Sequence, residues 1–192
     1  MKQIEEILNF IVEIEKLKGV QRKTKPVGFE RYENSAEHSW HVCLSALMLK
    51  DFANEPVNIE RVIKMLLIHD LGEIDAGDTI IYASETNELK GEEATAIKRI
   101  LSILPDGMED ELMELWDEFE AGETADSKFA KAVDRVPPLL HNIHGDGHSW
   151  KAHGITKDKV FSVNQRIENG SEALWSVMRN KLETAVDDGI LK

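Results

Sequence analysis

The sequence predicts an all-α fold. Apolar residues recur at three- and four-residue spacing over most of the 192-residue chain, which places them on one face of a helix. Breakers are sparse, with 12 Gly and 5 Pro, so long stretches can stay helical. The one strand-like fragment is Thr-Ile-Ile-Tyr at residues 79–82. The length suits one domain, and these observations together predict a single compact domain of many helices.

Three helices are predicted at the start of the chain, over about residues 4–19, 35–52 and 58–72. A loop with Pro26 and Gly28 separates the first two. Asn34 or Ser35 is the expected N-cap of the second helix, because these side chains accept hydrogen bonds from free amides of the first turn. The second helix is predicted to bury an apolar face made of Trp40, Cys43, Leu44, Leu47 and Met48.

The middle of the chain interrupts this pattern. Residues 74–90 are rich in Gly, Asp, Thr and Ser and predict irregular structure. Further helices are predicted over residues 92–104, 108–120, 126–144, 157–168 and 171–186. No heptad pattern, internal repeat or low-complexity linker is present, so an extended coiled coil is excluded.

The net charge of −13 argues against a protein that binds a nucleic-acid polymer, which needs a basic surface. One segment differs: residues 16–31 hold six Lys and Arg residues against Glu30 alone. Such a segment is able to bind a small anion, although charge alone favours a solvated loop.

The chain shows no feature of a membrane or secreted protein. No apolar run reaches 18 residues, and the N-terminus lacks the apolar block of a signal peptide. A single cysteine, Cys43, excludes an internal disulfide. We therefore expect a cytoplasmic protein with no membrane partner.

Metal-ligand chemistry is suggested first by His69 and Asp70, which end an apolar helix. Adjacent helical side chains point about 100° apart, so both are able to lean toward one ion. The alternative is a helix C-terminus that favours a histidine near its negative end. The Asp70 carboxylate is unfavourable there, and a cation would compensate it.

Other candidates lie far from this pair along the chain. His38 opens the second predicted helix, and Asp134 interrupts an apolar helical face. A buried carboxylate needs a partner, a proton or a metal, and Lys131 or Arg135 is the alternative partner for Asp134. Glu73 would share the face of His69 and Asp70 if their helix continued.

These residues, with their flanking sequences, resemble the HD-domain metal-dependent phosphohydrolases, which take their name from the adjacent His and Asp. The matching stretches are ENSAEHSW at residues 33–40 and HDLGEIDAGD at residues 69–78. The resemblance extends over about residues 4–180 and is greatest for the branch that contains the 5′-deoxynucleotidases. It implies one domain over residues 1–192, with a metal-binding core at about 34–140 and C-terminal helices packed on it.

The resemblance also implies roles for individual residues. His38, His69, Asp70 and Asp134 would bind one divalent ion, and this ligand set suits Zn²⁺, Mn²⁺, Co²⁺, Fe²⁺ or Ni²⁺. Glu73 would orient or deprotonate the attacking water, and Asp78 would contact the substrate sugar. Arg22 would hold the phosphate beside Lys23, where one characterised branch has a Trp that helps to exclude ribonucleotides.

The expected function is therefore hydrolysis of a nucleoside 5′-monophosphate, with a small nucleotide as the partner and, by resemblance, a homodimer. Two alternatives stay open: a regulatory protein that binds a nucleotide or metal without turnover, and a hydrolase of a phosphodiester or guanosine polyphosphate.

Two further groups of residues attract attention. One is a histidine-rich segment that contains His141, His144, His148 and His153. It is interpreted either as a second zinc site, since His141 and His144 are one helical turn apart, or as a polar loop or subunit contact. The four tryptophans could stack on a base, but core packing is the default for Trp40, Trp116 and Trp175, and less so for Trp150.

Overall fold

The computed structural model describes residues 1–82 and 91–192 in full, and residues 87–90 as helical backbone. Within these ranges every regular element is helical, as predicted. The α-helices are α1 Lys2–Ile14, α2 Ser35–Leu49, α3 Ile59–Ile68, α4 Glu73–Ala76, α5 Asn87–Leu101, α6 Met108–Ala121, α7 Ala125–Asp134, α8 Val136–His144, α9 His148–Ala152, α10 Lys157–Asn164 and α11 Glu172–Asp187. Short 3-10 helices follow α1, α2 and α10, at Glu15–Gly19, Lys50–Phe52 and Gln165–Asn169.

Helix starts follow their capping residues. The Asn34 side chain accepts from the Glu37 amide, and the Glu37 side chain accepts from the Asn34 amide, which completes a capping box. Asn58 caps α3 in a similar way, through the amides of Glu60 and Arg61. The N-cap prediction for the second helix is confirmed, with Asn34 rather than Ser35 as the cap.

The predicted helix over 126–144 is two helices, because proline interrupts it. α7 ends at Asp134, and α8 begins at Val136 with proline in its first turn. Pro137 and Pro138 have no amide hydrogen and are tolerated only in such a first turn. The break leaves Asp134 at a helix end, where its side chain is able to turn into the interior.

The irregular segment 74–90 is partly helical. The short helix α4 and the start of α5 lie within it, while residues 77–80 have no regular structure. The strand-like fragment 79–82 forms no strand, and residues 83–86 lie outside the described part of the chain. The helix α9 was not predicted.

Among the described residues, two apolar clusters make up the core. The first is built mainly from α2, α3, α6 and α7, with Val62, Met65 and Leu66 of α3 fully buried at its centre. The second joins α8 and α11 around Trp150 and Leu182. Helix α3 contacts α2, α6 and α7, so its C-terminal end lies where three helices meet.

Helix α2 buries a different face from the predicted one. His38, Val42 and Ala46 point inward, whereas Trp40 is 65% exposed and Met48 is 67% exposed. Leu44 and Leu47 are also exposed; among the predicted apolar face only Cys43 is buried. The remaining tryptophans, Trp116, Trp150 and Trp175, are buried. Within the described residues, no helix is long and apolar enough to cross a membrane.

Candidate active site

Four candidate ligands come together beside the C-terminal end of α3. His38 lies in the first turns of α2, His69 and Asp70 follow the last residue of α3, and Asp134 is the last residue of α7. These four residues are referred to below as the central cluster. They meet because α3 packs between α2 and α7.

Asp134 is the carboxylate that both histidines face. Its Oδ1 lies 2.8 Å from His38 Nε2 and 3.4 Å from His69 Nε2. Asp70 Oδ1 lies 3.1 Å from the same His69 nitrogen. Lys131, one of the alternative partners for Asp134, pairs with Glu120 instead. His38, His69 and Asp134 each offer a ligand atom within 4.8 Å of the others.

The environment of His69 fits a metal ion. Its Nδ1 lies 2.9 Å from the carbonyl oxygen of Leu66, so Nδ1 carries the hydrogen and donates it. Nε2 is buried and has no hydrogen-bond partner among the described residues. A buried polar atom without a partner is costly, and a lone pair aimed at two carboxylates needs a cation between them.

The central cluster strongly favours positive charge. Burial alone would raise the pKa of Asp134, but the hydrogen bond with His38 and the nearby His69 imidazole outweigh this effect and hold the pKa well below its ordinary range. Burial alone would lower the pKa of His69, but the charges of Asp70 and Asp134 raise it to about 9. A divalent ion would take the place of the proton that these carboxylates attract.

Arg22 lies against the opposite side of Asp70. Its Nη1 donates to Asp70 Oδ2 at 2.7 Å and lies 3.8 Å from Glu73 and 3.7 Å from Asp78. Burial by itself lowers the pKa of Arg22, but the surrounding carboxylates, Asp70 first, hold it above its ordinary value. The predicted phosphate-binding arginine therefore lies beside the central cluster, on a side chain only 14% exposed.

Backbone hydrogen bonds position the loop that carries Arg22. The Arg22 amide donates to the Glu33 carbonyl, and the Glu33 amide donates to the Thr24 carbonyl, both at 2.9 Å. An isolated antiparallel bridge between Gln21 and Asn34 continues the pairing to the start of α2. The loop is thereby closed at its base, directly beside His38.

Glu73 reaches the site although α3 does not continue to it. Residues 69–72 form turns, and Glu73 begins the separate helix α4. Its Oε2 accepts a hydrogen bond of 2.5 Å from the Ser35 hydroxyl, which orients the carboxyl group. Burial and the Asp70 charge raise the pKa of Glu73 to about 8.

Asp78 lies on the same wall, after a turn that needs glycine. Gly77 has φ of 78°, in the region that side chains disfavour. The Asp78 side chain is 5% exposed, and its Oδ2 lies 3.9 Å from Lys23 Nζ. Within residues 1–82 and 91–192 this oxygen has no hydrogen-bond partner. Burial raises the pKa of Asp78.

These side chains line one cavity of about 210 Å³. Its polar side carries Arg22, Lys23, Asp70, Glu73, Asp78 and Asp134. Its other side includes Ile80, Ile81, Tyr82 and Leu139. The cavity thus places a cation-attracting centre, a guanidinium and a protonatable carboxyl beside an apolar wall. Neither Trp40 nor Trp150 lines it.

The structure separates the four clustered histidines. His141 is buried, His144 and His153 are exposed, and His148 lies 3.4 Å from the Tyr32 hydroxyl. A zinc site formed by His141 and His144 is therefore wrong. Sequence reasoning also missed Glu33 and Ser35 as contributors to the site, although both lie in the ENSAEHSW stretch that carried the resemblance.

Comparison with known proteins identifies relatives of this arrangement. The sequence profile of the HD domain family matches residues 14–175. The human protein named 5′-deoxynucleotidase HDDC2 is 31% identical over 112 residues, covering 58% of this chain and 53% of that protein. The chain thus spans about half the length of the curated relatives of this name. The 5′-deoxynucleotidase hdd1 of Schizosaccharomyces pombe is 26% identical over 80% of this chain and 84% of its own.

Solved structures match over the whole chain. A predicted metal-dependent phosphohydrolase from Magnetospirillum magnetotacticum is 44% identical with a TM-score of 0.93, covering 100% of this chain and 99% of its own. A conserved hypothetical protein from Pyrococcus furiosus is 23% identical with a TM-score of 0.59, and it shares the fold. The match covers 94% of this chain and 99% of that protein.

Proposed function

The chain belongs to the HD domain family, and on that premise we propose that it hydrolyses nucleoside 5′-monophosphates to nucleoside and phosphate with the aid of a divalent metal. One observation carries the proposal: Asp70 and Asp134 of the central cluster line the same small cavity as Arg22 and Glu73. The names of the relatives support the substrate class.

In this proposal His38, His69, Asp70 and Asp134 hold the ion. The buried, unpartnered Nε2 of His69 supports the assignment, and two imidazoles with two carboxylates suit Zn²⁺, Mn²⁺, Co²⁺, Fe²⁺ or Ni²⁺. When bound, such an ion supplies Lewis acidity that lowers the pKa of water and offsets charge on phosphoryl oxygens.

Glu73 is the proposed general base. Its raised pKa, about 8, places the carboxyl group near the range in which proton transfer at neutral pH is efficient. The Ser35 hydroxyl fixes one oxygen of Glu73 and leaves the other to face the cavity. In this proposal the substrate phosphate replaces neighbouring carboxylates as the partner of Arg22. A guanidinium group is suited to this role because it binds two phosphate oxygens at once.

Asp78 and Lys23 are the proposed sugar contacts. The unpartnered Asp78 Oδ2 is able to accept a hydrogen bond from a 3′-hydroxyl, worth about 1.5–3 kcal/mol when the acceptor is charged. Lys23 is flexible and 42% exposed, and it offers no rigid wall against a 2′-hydroxyl. We propose weak discrimination between ribose and deoxyribose.

The test is turnover by the purified protein with a panel of divalent metals and substrates. We expect release of phosphate from 5′-monophosphates, with similar kcat/KM for the ribo and deoxyribo forms of one base. The 3′-monophosphate should be a poor substrate. Metal-dependent binding of nucleotides without turnover would instead favour a regulatory protein. Faster cleavage of a phosphodiester or guanosine polyphosphate would show that the substrate is not a nucleoside monophosphate. A strong deoxyribose preference would contradict the role given to Lys23.

We also propose that the chain is one domain over residues 1–192 and acts in the cytoplasm.

A further proposal is that the chain forms a homodimer through the exposed apolar face of α2. Trp40, Leu44, Leu47 and Met48 lie at helical spacing on one exposed face, and a monomer rarely exposes such an apolar stripe. Light scattering after gel filtration should give the mass of two chains, and Trp40→Glu should give the mass of one. A monomeric wild type would refute the dimer.

A further inference from the structure

A second group of ligand atoms lies on the other side of His38. Glu33, His41 and His141 each offer one ligand atom, and these atoms lie within 4.8 Å of one another. This is the same spacing that brings together His38, His69 and Asp134. Glu33 precedes α2, His41 lies one turn after His38 in α2, and His141 lies in α8. These three residues are called the second cluster below.

The Glu33 carboxylate is the feature that calls for a ligand. The residue is 2% exposed, and its buried Oε2 has no hydrogen-bond partner in the part of the chain that the structure describes. His38 Nδ1, Arg22 Nε and His141 Nδ1 surround that oxygen at 3.5, 3.5 and 3.8 Å, none close enough for a good hydrogen bond. A buried charge left in this state is expensive, so the oxygen needs another positive partner.

The histidines are in a suitable state to ligate. The rings of His41 and His141 are 6.2 Å apart between centroids and tilted by 32°. His141 is buried and contacts the Thr24 hydroxyl through Nδ1 at 3.2 Å, which orients the ring. A neutral imidazole carries one nitrogen lone pair, which is the group that an ion would bind.

The local charge balance leaves room for a second cation. Five largely buried carboxylates surround Arg22 and His38: Glu33, Asp70, Glu73, Asp78 and Asp134. Arg22, Lys23 and one divalent ion together carry four positive charges, one fewer than the five carboxylates when all are ionised. These carboxylates therefore offset much of the repulsion between Arg22 and a second ion.

We propose that Glu33, His41 and His141 form a second metal site, separate from the central cluster and selective for borderline ions such as Zn²⁺, Co²⁺ or Ni²⁺. One carboxylate and two imidazoles are a frequent ligand set for these ions. His38 lies between the two sites, with Nε2 facing Asp134 and Nδ1 facing Glu33. An ion held by Glu33 would also fix the carboxylate that faces His38 Nδ1.

The experiment counts metal ions in the full-length protein. The protein is stripped with a chelator, titrated with Co²⁺ or Zn²⁺, freed of excess ion by gel filtration and analysed by mass spectrometry for metal per chain. We expect two ions in the wild type and one in His141→Ala and in His41→Ala. The visible spectrum of bound Co²⁺ should lose one component in the same variants.

Two control variants separate this site from the proposed catalytic centre. His144→Ala changes an exposed histidine on the same helix, and it should keep two ions. Asp70→Asn should lose the central ion and keep the second. One ion in the wild type and one in both His41 and His141 variants would overturn the second site. A single ion that is lost in His141→Ala but kept in Asp70→Asn would support it and refute the proposed catalytic centre. If His141→Ala does not fold by circular dichroism, the half-buried His41→Ala decides.

Discussion

The central and second clusters have similar ligand types but different surroundings. Both combine two histidines with acidic oxygen at comparable spacing, and His38 lies between them. The two carboxylates of the central cluster, Asp70 and Asp134, line a cavity that Arg22 and Glu73 also line. Glu33, His41 and His141 do not line that cavity. The comparison teaches that ligand atoms alone do not make a hydrolytic centre, because turnover also needs a place for substrate, a base and an anion-binding group.

The largest expected effect comes from removing one charge at the central cluster. Asp70→Asn keeps the shape of the side chain but removes a negative ligand and the partner of Arg22. We expect turnover to fall below detection while the helical fold survives, because the apolar core does not depend on this carboxylate. Phosphate release and metal content are the measurements. Wild-type values for both would remove the central cluster from the mechanism.

A smaller loss of activity is expected when the proposed base, Glu73, is removed and the four proposed metal ligands are unchanged. Glu73→Ala should lower kcat by about 10²–10⁴-fold, the range typical of a missing general base. Metal content should remain that of the wild type. Ser35→Ala is the matched variant: it frees the Glu73 carboxyl without removing it and should cost less in kcat. Equal losses in the two variants would show that Glu73 does not act as the base.

Arg22→Ala tests the anion-binding part of the cavity. A charged hydrogen bond contributes about 1.5–3 kcal/mol, so kcat/KM should fall by about 10–100-fold. The loss should appear in KM if Arg22 binds phosphate equally throughout the reaction, or in kcat if it engages developing charge. Steady-state kinetics separates the two. Unchanged kinetics would leave Arg22 as a partner of Asp70 only.

The last prediction concerns the stability of the metal-free protein and not its turnover. The folded protein holds a proton on Glu73 up to about pH 8, whereas the unfolded chain releases it near pH 4.5. Stability should therefore decrease between these pH values, with a slope of up to about 1.4 kcal/mol per pH unit. Glu73→Gln cannot lose a proton and should lack this decrease. Urea unfolding in chelator at pH 5 and pH 8 measures the difference, and parallel profiles would contradict it.

The sequence alone predicts the parts of the site that depend on short-range order. His69 and Asp70 follow an apolar helix that ends where predicted within a few residues, and the caps Asn34 and Asn58 follow from side-chain chemistry. The all-α class follows from the helical spacing of apolar residues.

Tertiary packing decides what the sequence pattern could not. Helix α2 turns His38 inward because the interior at that point is polar, and this leaves Trp40 and Met48 outside. The ligand role of Asp134 needs the helix to end there, which the following prolines cause. The pairing of Glu33 with His141 joins residues more than a hundred positions apart, and no local periodicity encodes it.

The loop before α2 has two parts: the paired residues at its base, and the excursion over residues 25–32 between them. Arg22, Thr24 and Glu33 are tied by backbone hydrogen bonds, so residues 25–32 leave and return at nearly the same point. A change of length or sequence in that excursion need not be transmitted to the paired residues. We therefore expect residues 25–30 to tolerate a change of length without rebuilding the groups beside them, whereas Arg31 also pairs with Glu37 at the start of α2.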